Sequence, residues 1–107
     1  MPTDVRLLAD IDKVIHEPAR LGLTAILSVV ESADFLYLQR ETGLTKGNLS
    51  SHLAKLEEAG YVAIEKTYRG RVPLTLVRLT DAGAAAYKAY RARFKRFLEK
   101  TSGFSRA

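Results

Sequence analysis

Residues 44–62, LTKGNLSSHLAKLEEAGYV, constrain this chain more than any other stretch. Thr45 is a helix N-cap candidate, and Gly60 suits the left-handed position that follows a helix. Between them Leu49, Leu53 and Leu56 recur at helical spacing. At about 100° per residue they fall within about 60° of one another, which makes a buried stripe. The opposite face is unusual for a surface helix. Gly47, Ser51 and Ala54 occupy it, Asn48, Ser50 and Lys55 flank it, and Lys46 stands at its start. Carboxylates appear only near the end, at Glu57 and Glu58. Any fold must bury the leucines, and the small, hydrogen-bonding face is open to a close approach.

The remainder reads as four more helices and one hairpin. A first helix is expected over about 4–15, with Leu8, Ile11 and Ile15 on one side and Val5 and Leu7 nearby. His16-Glu17-Pro18 breaks it, because proline disfavours helix in the residue before it. Pro18 then opens a second helix to about residue 30, with Leu23, Ile26, Leu27 and Val30 as its core stripe. Asp34 is an N-cap candidate for a short helix over about 35–42 that turns Phe35, Leu36 and Leu38 inward. Gly43 makes the tight exit before Thr45. Residues 61–68 and 72–79 have strand composition and flank Arg69-Gly70-Arg71, so they predict a hairpin with both arginines at its tip. Pro73 cannot donate to a ladder and belongs near a strand start or on an edge. Thr80-Asp81 opens a last helix over about 81–99. The tail from 101 to 107 is expected to fray.

Composition bounds the function. The 107 residues fit one domain, read as 1–100, and the formal charge is +5. Basic residues concentrate in the second half, where Lys46, Lys55, Lys66, Arg69, Arg71 and Arg78 face only Glu57, Glu58 and Glu65 in residues 45–78. Excess positive charge favours polyanionic partners. The absence of cysteine excludes disulfides and thiol chemistry and fits a reducing compartment. No apolar run reaches the ~20 residues of a membrane span. The first twelve residues are acidic and amphipathic, unlike a secretory signal. A cytoplasmic protein with no membrane partner is expected. No phosphate-binding, zinc-protease or nucleophile-elbow motif is present. Neighbouring Ser50, Ser51 and His52 point apart on a helix. Neither an enzyme nor a cofactor is therefore expected.

The bare helix face suits a helix entering the DNA major groove. Small residues admit the backbone, Asn and Ser meet base edges, and lysine and helix N–H groups meet phosphate. Its neighbours carry a family likeness. Residues 18–83 resemble the winged helix–turn–helix regulators of the ArsR and MarR type. PARLGLTAIL is similar to the early "P-x-R-x-x-I-L" helix, and LTKGNLSSHLAKLEEAGYV to the recognition helix with "S-x-H-L…L-E-x-A-G". TYRGRVPLTLVRLTDAG is similar to the wing and the "L-T-x-x-G" entry to the last helix. The likeness is nearest to small, stand-alone MarR-like proteins.

The resemblance implies an α+β, mainly α, winged helix with a two-stranded wing and extended terminal helices. It implies a sequence-specific double-stranded DNA-binding regulator, a repressor. Recognition helix 46–59 would face DNA with Lys46, Gly47, Asn48, Ser50, Ser51 and Lys55, and the wing would bring Arg69 and Arg71 to the minor groove. His52 matches the motif histidine and either touches phosphate or packs at the helix border. Metal sensors of the ArsR type use cysteine pairs or His/Asp/Glu clusters. With no cysteine and only His16 and His52, no metal site is expected. His16 reads as a loop residue, with a carboxylate–histidine metal site that uses His16 with Asp12 as the alternative.

Tyr87, Tyr90, Phe94 and Phe97 form an aromatic stripe on the last helix, more apolar surface than one winged helix needs. With Leu8 and Ile11 of the first helix they are the expected homodimer interface, or else they fold back on their own core. Such a dimer sets two half-sites about 34–36 Å apart. An unidentified small-molecule effector could bind beside Tyr87 and Tyr90. The rival reading from another class is a winged-helix protein-interaction module without specific DNA binding.

Overall fold

Asp12, Glu17 and Pro18 govern how the chain enters the fold. In the computed structural model, which describes residues 2–102, α1 spans Pro2–Ala9 and stops well short of the expected residue 15. Asp12 Oδ1 accepts from Val14 N at 2.8 Å and Ile15 N at 3.1 Å. That local bonding competes with the helix and turns the chain instead. Ile11 and Ile15 are still buried, delivered by the turn rather than by a helix face.

Helix α2 spans Pro18–Leu27 with Pro18 in its first turn. Glu17 caps it by accepting from Arg20 N at 2.8 Å. That bond is the main cause that holds the Glu17 carboxyl below its usual range; partial burial opposes it, and His52 and Arg20 assist it. The helix ends at Leu27, not near residue 30. Val30, expected in the core stripe, is 39% exposed, because the chain must leave the helix to form β1, Ala33–Asp34.

Helix α3, Phe35–Thr42, is capped by Asp34, whose Oδ1 accepts from Tyr37 N at 2.7 Å, and exits through Gly43 at φ +70°. Leu38 is its one fully buried side chain, and Leu36, expected inside, is 65% exposed. Helix α4, Lys46–Glu58, starts at the Thr45 cap. It ends in a paired motif: Tyr61 N donates to Leu56 O and Gly60 N to Glu57 O, both at 2.9 Å, with Gly60 at φ +81°.

Strands β2, Val62–Arg69, and β3, Val72–Leu79, pair antiparallel from Val62↔Leu79 to Arg69↔Val72. The two-residue β1 adds to β3 at Ala33↔Val77 and Asp34↔Leu76, giving the order β1-β3-β2. By sequence alone, residues 33–34 read as a simple connection. Pro73 lies where β3 has only β2 beside it, so its missing N–H removes no bond to β1.

Helix α5, Asp81–Thr101, is capped by Thr80, whose Oγ1 accepts from Gly83 N at 3.0 Å. It runs past the expected end at 99. Of the tail expected to fray, residues 103–107 lie outside the described residues. Gly83 is required by packing: a Cβ there would overlap the Tyr61 carbonyl oxygen and sit 2.9 Å from Leu79 Cδ1.

Two apolar clusters result. Leu23, Leu27, Leu38, Leu49, Leu53, Leu56, Val62 and Val77 fill the first, between the three short helices and the sheet. Ile11, Ile15 and Tyr90 form the second, with Leu8, Tyr87 and Phe94 packed against it. Tyr61 borders both. No helix among the described residues is long and apolar enough to cross a membrane.

Candidate nucleic-acid interface

The leucine stripe orients α4. Leu49, Leu53 and Leu56 are each buried to 2% exposure or less, so the opposite face must look outward. Lys46, Gly47, Asn48, Ser50, Ser51, Ala54 and Lys55 are all exposed. Asn48 uses its backbone N–H for the Thr45 cap, but its side-chain amide and the Ser50 and Ser51 hydroxyls bond no other protein group among the described residues. Their donors and acceptors are free for a ligand. The start of the helix adds unpaired N–H groups and partial positive charge on the same side as Lys46.

His52 lies at the border of this face, 21% exposed in its side chain. Its Nδ1 is 3.1 Å from Arg20 Nη1 and 3.8 Å from Glu17 Oε1. Arg20 in turn donates from Nε to Val14 O at 2.6 Å. Of the two roles open to His52, packing with hydrogen bonding is the one this geometry provides. The bond chain ties α4 to the start of α2 and to the turn before it, so the angle of α4 is held by polar contacts as well as by leucines.

The wing ends in a two-residue turn, Gly70-Arg71, between paired Arg69 and Val72. Gly70 sits at φ +64° and Arg71 is not left-handed, the pattern of a hairpin turn with glycine first. Both arginines are therefore at the tip and exposed, and neither forms an ion pair among the described residues.

Strand alternation adds residues that the sequence motifs do not single out. Val62, Ile64, Lys66 and Tyr68 share one face of β2. The inner end of that face is core, and its outer end carries exposed Lys66 and Tyr68. Between it and α4 runs an open groove of about 1120 Å³. Lys46, Ser50 and Ala54 line one wall, Lys66, Pro73 and Thr75 the other, with Arg69 at the wing end and exposed Leu36 beside them. Period-two counting onward from Ile64 would have placed Lys66 here, with Tyr68 further along the same strand face. The exposed Leu36 has no such signal, because its helical spacing reads as core.

The residues expected at a dimer interface divide into two groups. Ile11 and Tyr90 are buried within the chain, at 6% and 4% exposure. The Tyr90 hydroxyl lies 2.8 Å from His16 Nδ1. Burial and then the neighbouring Tyr87 push its pKa up. Within the chain these two residues close an intramolecular cluster and present almost no surface. The same burial leaves little of Tyr90 for the effector position read beside it. Leu8, Tyr87, Phe94 and Phe97 stay partly exposed, and Leu98 is 48% exposed. Phe94 and Phe97 stack with centroids 6.2 Å apart, and Arg91 lies 5.7 Å over the Tyr87 ring.

The Asp12–His16 pairing is not formed. Asp12 Oδ1 caps its own turn, and Oδ2 accepts from the Tyr61 hydroxyl. That bond, then burial and the Asp12 charge, push the Tyr61 pKa up to about 12. Among the described residues no three His, Asp or Glu side chains gather as a metal site would require.

Residues 19–98 match the model of the winged helix DNA-binding domain. An uncharacterized protein of Methanocaldococcus jannaschii is 39% identical over 79 residues, which cover 73% of this chain and 85% of that protein. The transcriptional regulator homologue of Pyrococcus horikoshii OT3 superposes with a TM-score of 0.83 at 30% identity, over 92% of this chain and 96% of that one. A MarR-family protein of Enterococcus faecalis V583 superposes at 0.69 over 85% and 84% of the two chains; its 24% identity shows likeness of fold alone.

Proposed function

Because the chain belongs to the winged helix DNA-binding domain family, with a MarR-like fold, we propose that it is a homodimeric, sequence-specific regulator of transcription. Helix α4 lies in the major groove with Lys46, Gly47, Asn48, Ser50, Ser51 and Lys55 toward the bases and phosphates. The wing sets Arg69 and Arg71 at the adjacent minor groove. Bound across a promoter, the dimer represses by occupancy. One observation carries this reading: the exposed face of α4 has free hydrogen-bonding groups and no carboxylate before Glu57, beside a wing tip with two unpaired arginines. A protein-binding face has no need to keep acids away.

The dimer is built from the parts of α5 and α1 that the chain leaves exposed, Leu8, Tyr87, Phe94, Phe97 and Leu98. A small-molecule effector fits the same scheme: a ligand that favours one dimer geometry changes the separation of the two reading helices. Its signature is an operator affinity that changes with ligand at constant salt.

Fluorescence anisotropy on the chain's own upstream DNA and on a scrambled duplex, over a salt series, tests the proposal. Preference for the upstream duplex is expected, with log affinity falling linearly in log salt. Replacing Arg69 and Arg71 by alanine should weaken binding to both and lower the slope by about 0.9 for each phosphate no longer neutralised. Absence of binding even at low salt would favour the protein-interaction reading. Sedimentation of a monomer at micromolar concentration would remove the dimer.

A further inference from the structure

We infer that the outer half of α5 is a second duplex-binding surface, indifferent to sequence, with which the protein holds two DNA segments at once. The inference rests on α4 and the wing as the first duplex site and goes beyond it. Charge distribution, face geometry and position in the fold all point to it.

Residues 88–100 hold six basic groups against Glu99, a net charge of +5, which equals the formal charge of the whole chain. Residues 1–87, with α4 and the wing among them, hold ten basic and eleven acidic groups. The excess positive field of the molecule therefore belongs to α5. Two of its cations have partners. Arg93 Nη1 lies 3.8 Å from Asp10 Oδ2, and Arg91 stands over the Tyr87 ring. Lys88, Lys95, Arg96 and Lys100 are exposed and form no ion pair among the described residues.

At about 100° per residue, Lys88, Arg91 and Lys95 form one row along the helix, and Arg93, Arg96 and Lys100 form another. Exposed Ala85 and Ala92 lie between the rows, with Glu99 the one acid near the far end. A small face flanked by two lines of cations admits a phosphate backbone closely, and phosphate contacts carry no sequence information. From Lys88 to Lys100 the rows span about 18 Å at about 1.5 Å per residue. A duplex offers one negative charge per ~1.7 Å, so these cations find phosphates in any register. An acidic peptide would have to match the pattern residue by residue. A bilayer would need the apolar stripe of the same helix, which is turned onto Ile11 and Ile15 as far as Phe94.

Position makes this a second site rather than an extension of the first. Strand β3 passes into α5 through Thr80. Eight strand residues at about 3.3 Å and 21 helical residues at about 1.5 Å span about 58 Å end to end. The molecule measures 62 × 27 × 22 Å, so the wing and α5 run in opposite directions from their junction. Helix α4 shares a groove with the wing, on the wing's side of that junction. The basic half of α5 lies on the other.

The full chain is mixed with its upstream duplex fixed to beads and a fluorescent duplex of scrambled sequence in solution. At low salt the wild type should carry the fluorescent duplex onto the beads. The fourfold variant Lys88→Gln, Lys95→Gln, Arg96→Gln, Lys100→Gln should lose that capture and keep the preference for the upstream duplex. Its salt slope on the scrambled duplex should fall by up to about 3.6, at about 0.9 for each phosphate no longer neutralised. The variant Lys88→Arg, Lys95→Arg, Lys100→Arg keeps the charge and should keep the capture, which separates charge from folding.

Capture by the fourfold variant would overturn the inference, because the second duplex would then be held elsewhere, as by the α4 of a second copy. So would loss of capture in the arginine variant, or a wild type that binds the upstream duplex and captures nothing. Release of the captured duplex by polyglutamate of equal charge, or by phosphatidylserine vesicles, as readily as by free duplex would replace DNA with an acidic protein or a membrane. Failure to bind any duplex at low salt would instead overturn the DNA reading of α4, and this inference with it.

Discussion

Helices α4 and α5 each carry an apolar stripe at helical spacing, and the molecule uses the two in opposite ways. In α4 the leucines are wholly buried and the small polar face is wholly exposed, so the helix has one inside and one outside. In α5 the aromatic stripe is graded. Tyr90 is sealed against Ile11 and Ile15, Phe94 packs at the margin, and Phe97 and Leu98 are progressively uncovered. A stripe surrounded by partners in the same short domain becomes core along its length. A stripe on a helix of 21 residues outruns the domain and becomes surface at its far end.

The largest break in this comparison should come from the buried stripe. Leu56→Ala should destabilise by about 2–5 kcal/mol, whereas Leu36→Ala, at an apolar helical position that is exposed, should change stability by less than about 0.5 kcal/mol. Denaturant midpoints of the two variants measure the gap. Comparable losses would mean that Leu36 is covered in solution.

Next in size is Gly83→Ala at the entry to α5. The added methyl meets backbone, which cannot rotate away, so a loss of about 1–3 kcal/mol is expected. The thermal midpoint should fall, and affinity for duplex, measured well below it, should be unchanged.

The near and far ends of the α5 stripe can then be separated. Tyr90→Phe removes only the hydroxyl beside His16, with an expected loss of about 0.5–1.5 kcal/mol and no change in association state. Phe97→Ala should do the reverse, leaving the fold intact and weakening self-association in sedimentation. If Tyr90→Phe dissociates the protein instead, the boundary between core and surface lies further toward the end of the helix.

The last effect is one of pH. Tyr61, whose hydroxyl donates to Asp12, titrates at about 12 against an ordinary value of 10.0. A raised folded pKa contributes stability that is fully present below pH 10 and disappears as pH rises through 12. Phenolate absorbance should show Tyr61 among the late-titrating tyrosines, beside Tyr90, whose pKa is also raised. Tyr61→Phe should remove the component near 12 and flatten the alkaline decline in stability.

What is legible in the sequence is whatever the chain decides locally. Thr45, Asp34 and Thr80 as caps, Gly43, Gly60 and Gly70 as left-handed turns, and the leucine stripe of α4 all depend on residues within one or two turns. The winged-helix likeness rests on the same segments. What is not legible depends on distant partners. Strand β1 is two residues long and exists because Val77 and Leu76 offer it a ladder. Helix α1 stops at Ala9 because Asp12 captures backbone N–H groups and is itself held by Tyr61. The inward turn of Tyr90 needs His16, which lies 74 positions earlier. Lys66 is easily passed over beside the conspicuous arginines, although alternation from Ile64 places it on the groove side.

Tyr61 is the joint of the molecule. Its N–H closes α4, its carbonyl accepts from Thr80 N at 3.0 Å and abuts Gly83, its hydroxyl holds the turn before α2, and β2 begins one residue later. Helix α4, the wing and the root of α5 therefore meet at one residue. All three are anchored on one residue, so a substitution at Tyr61 should disturb them together.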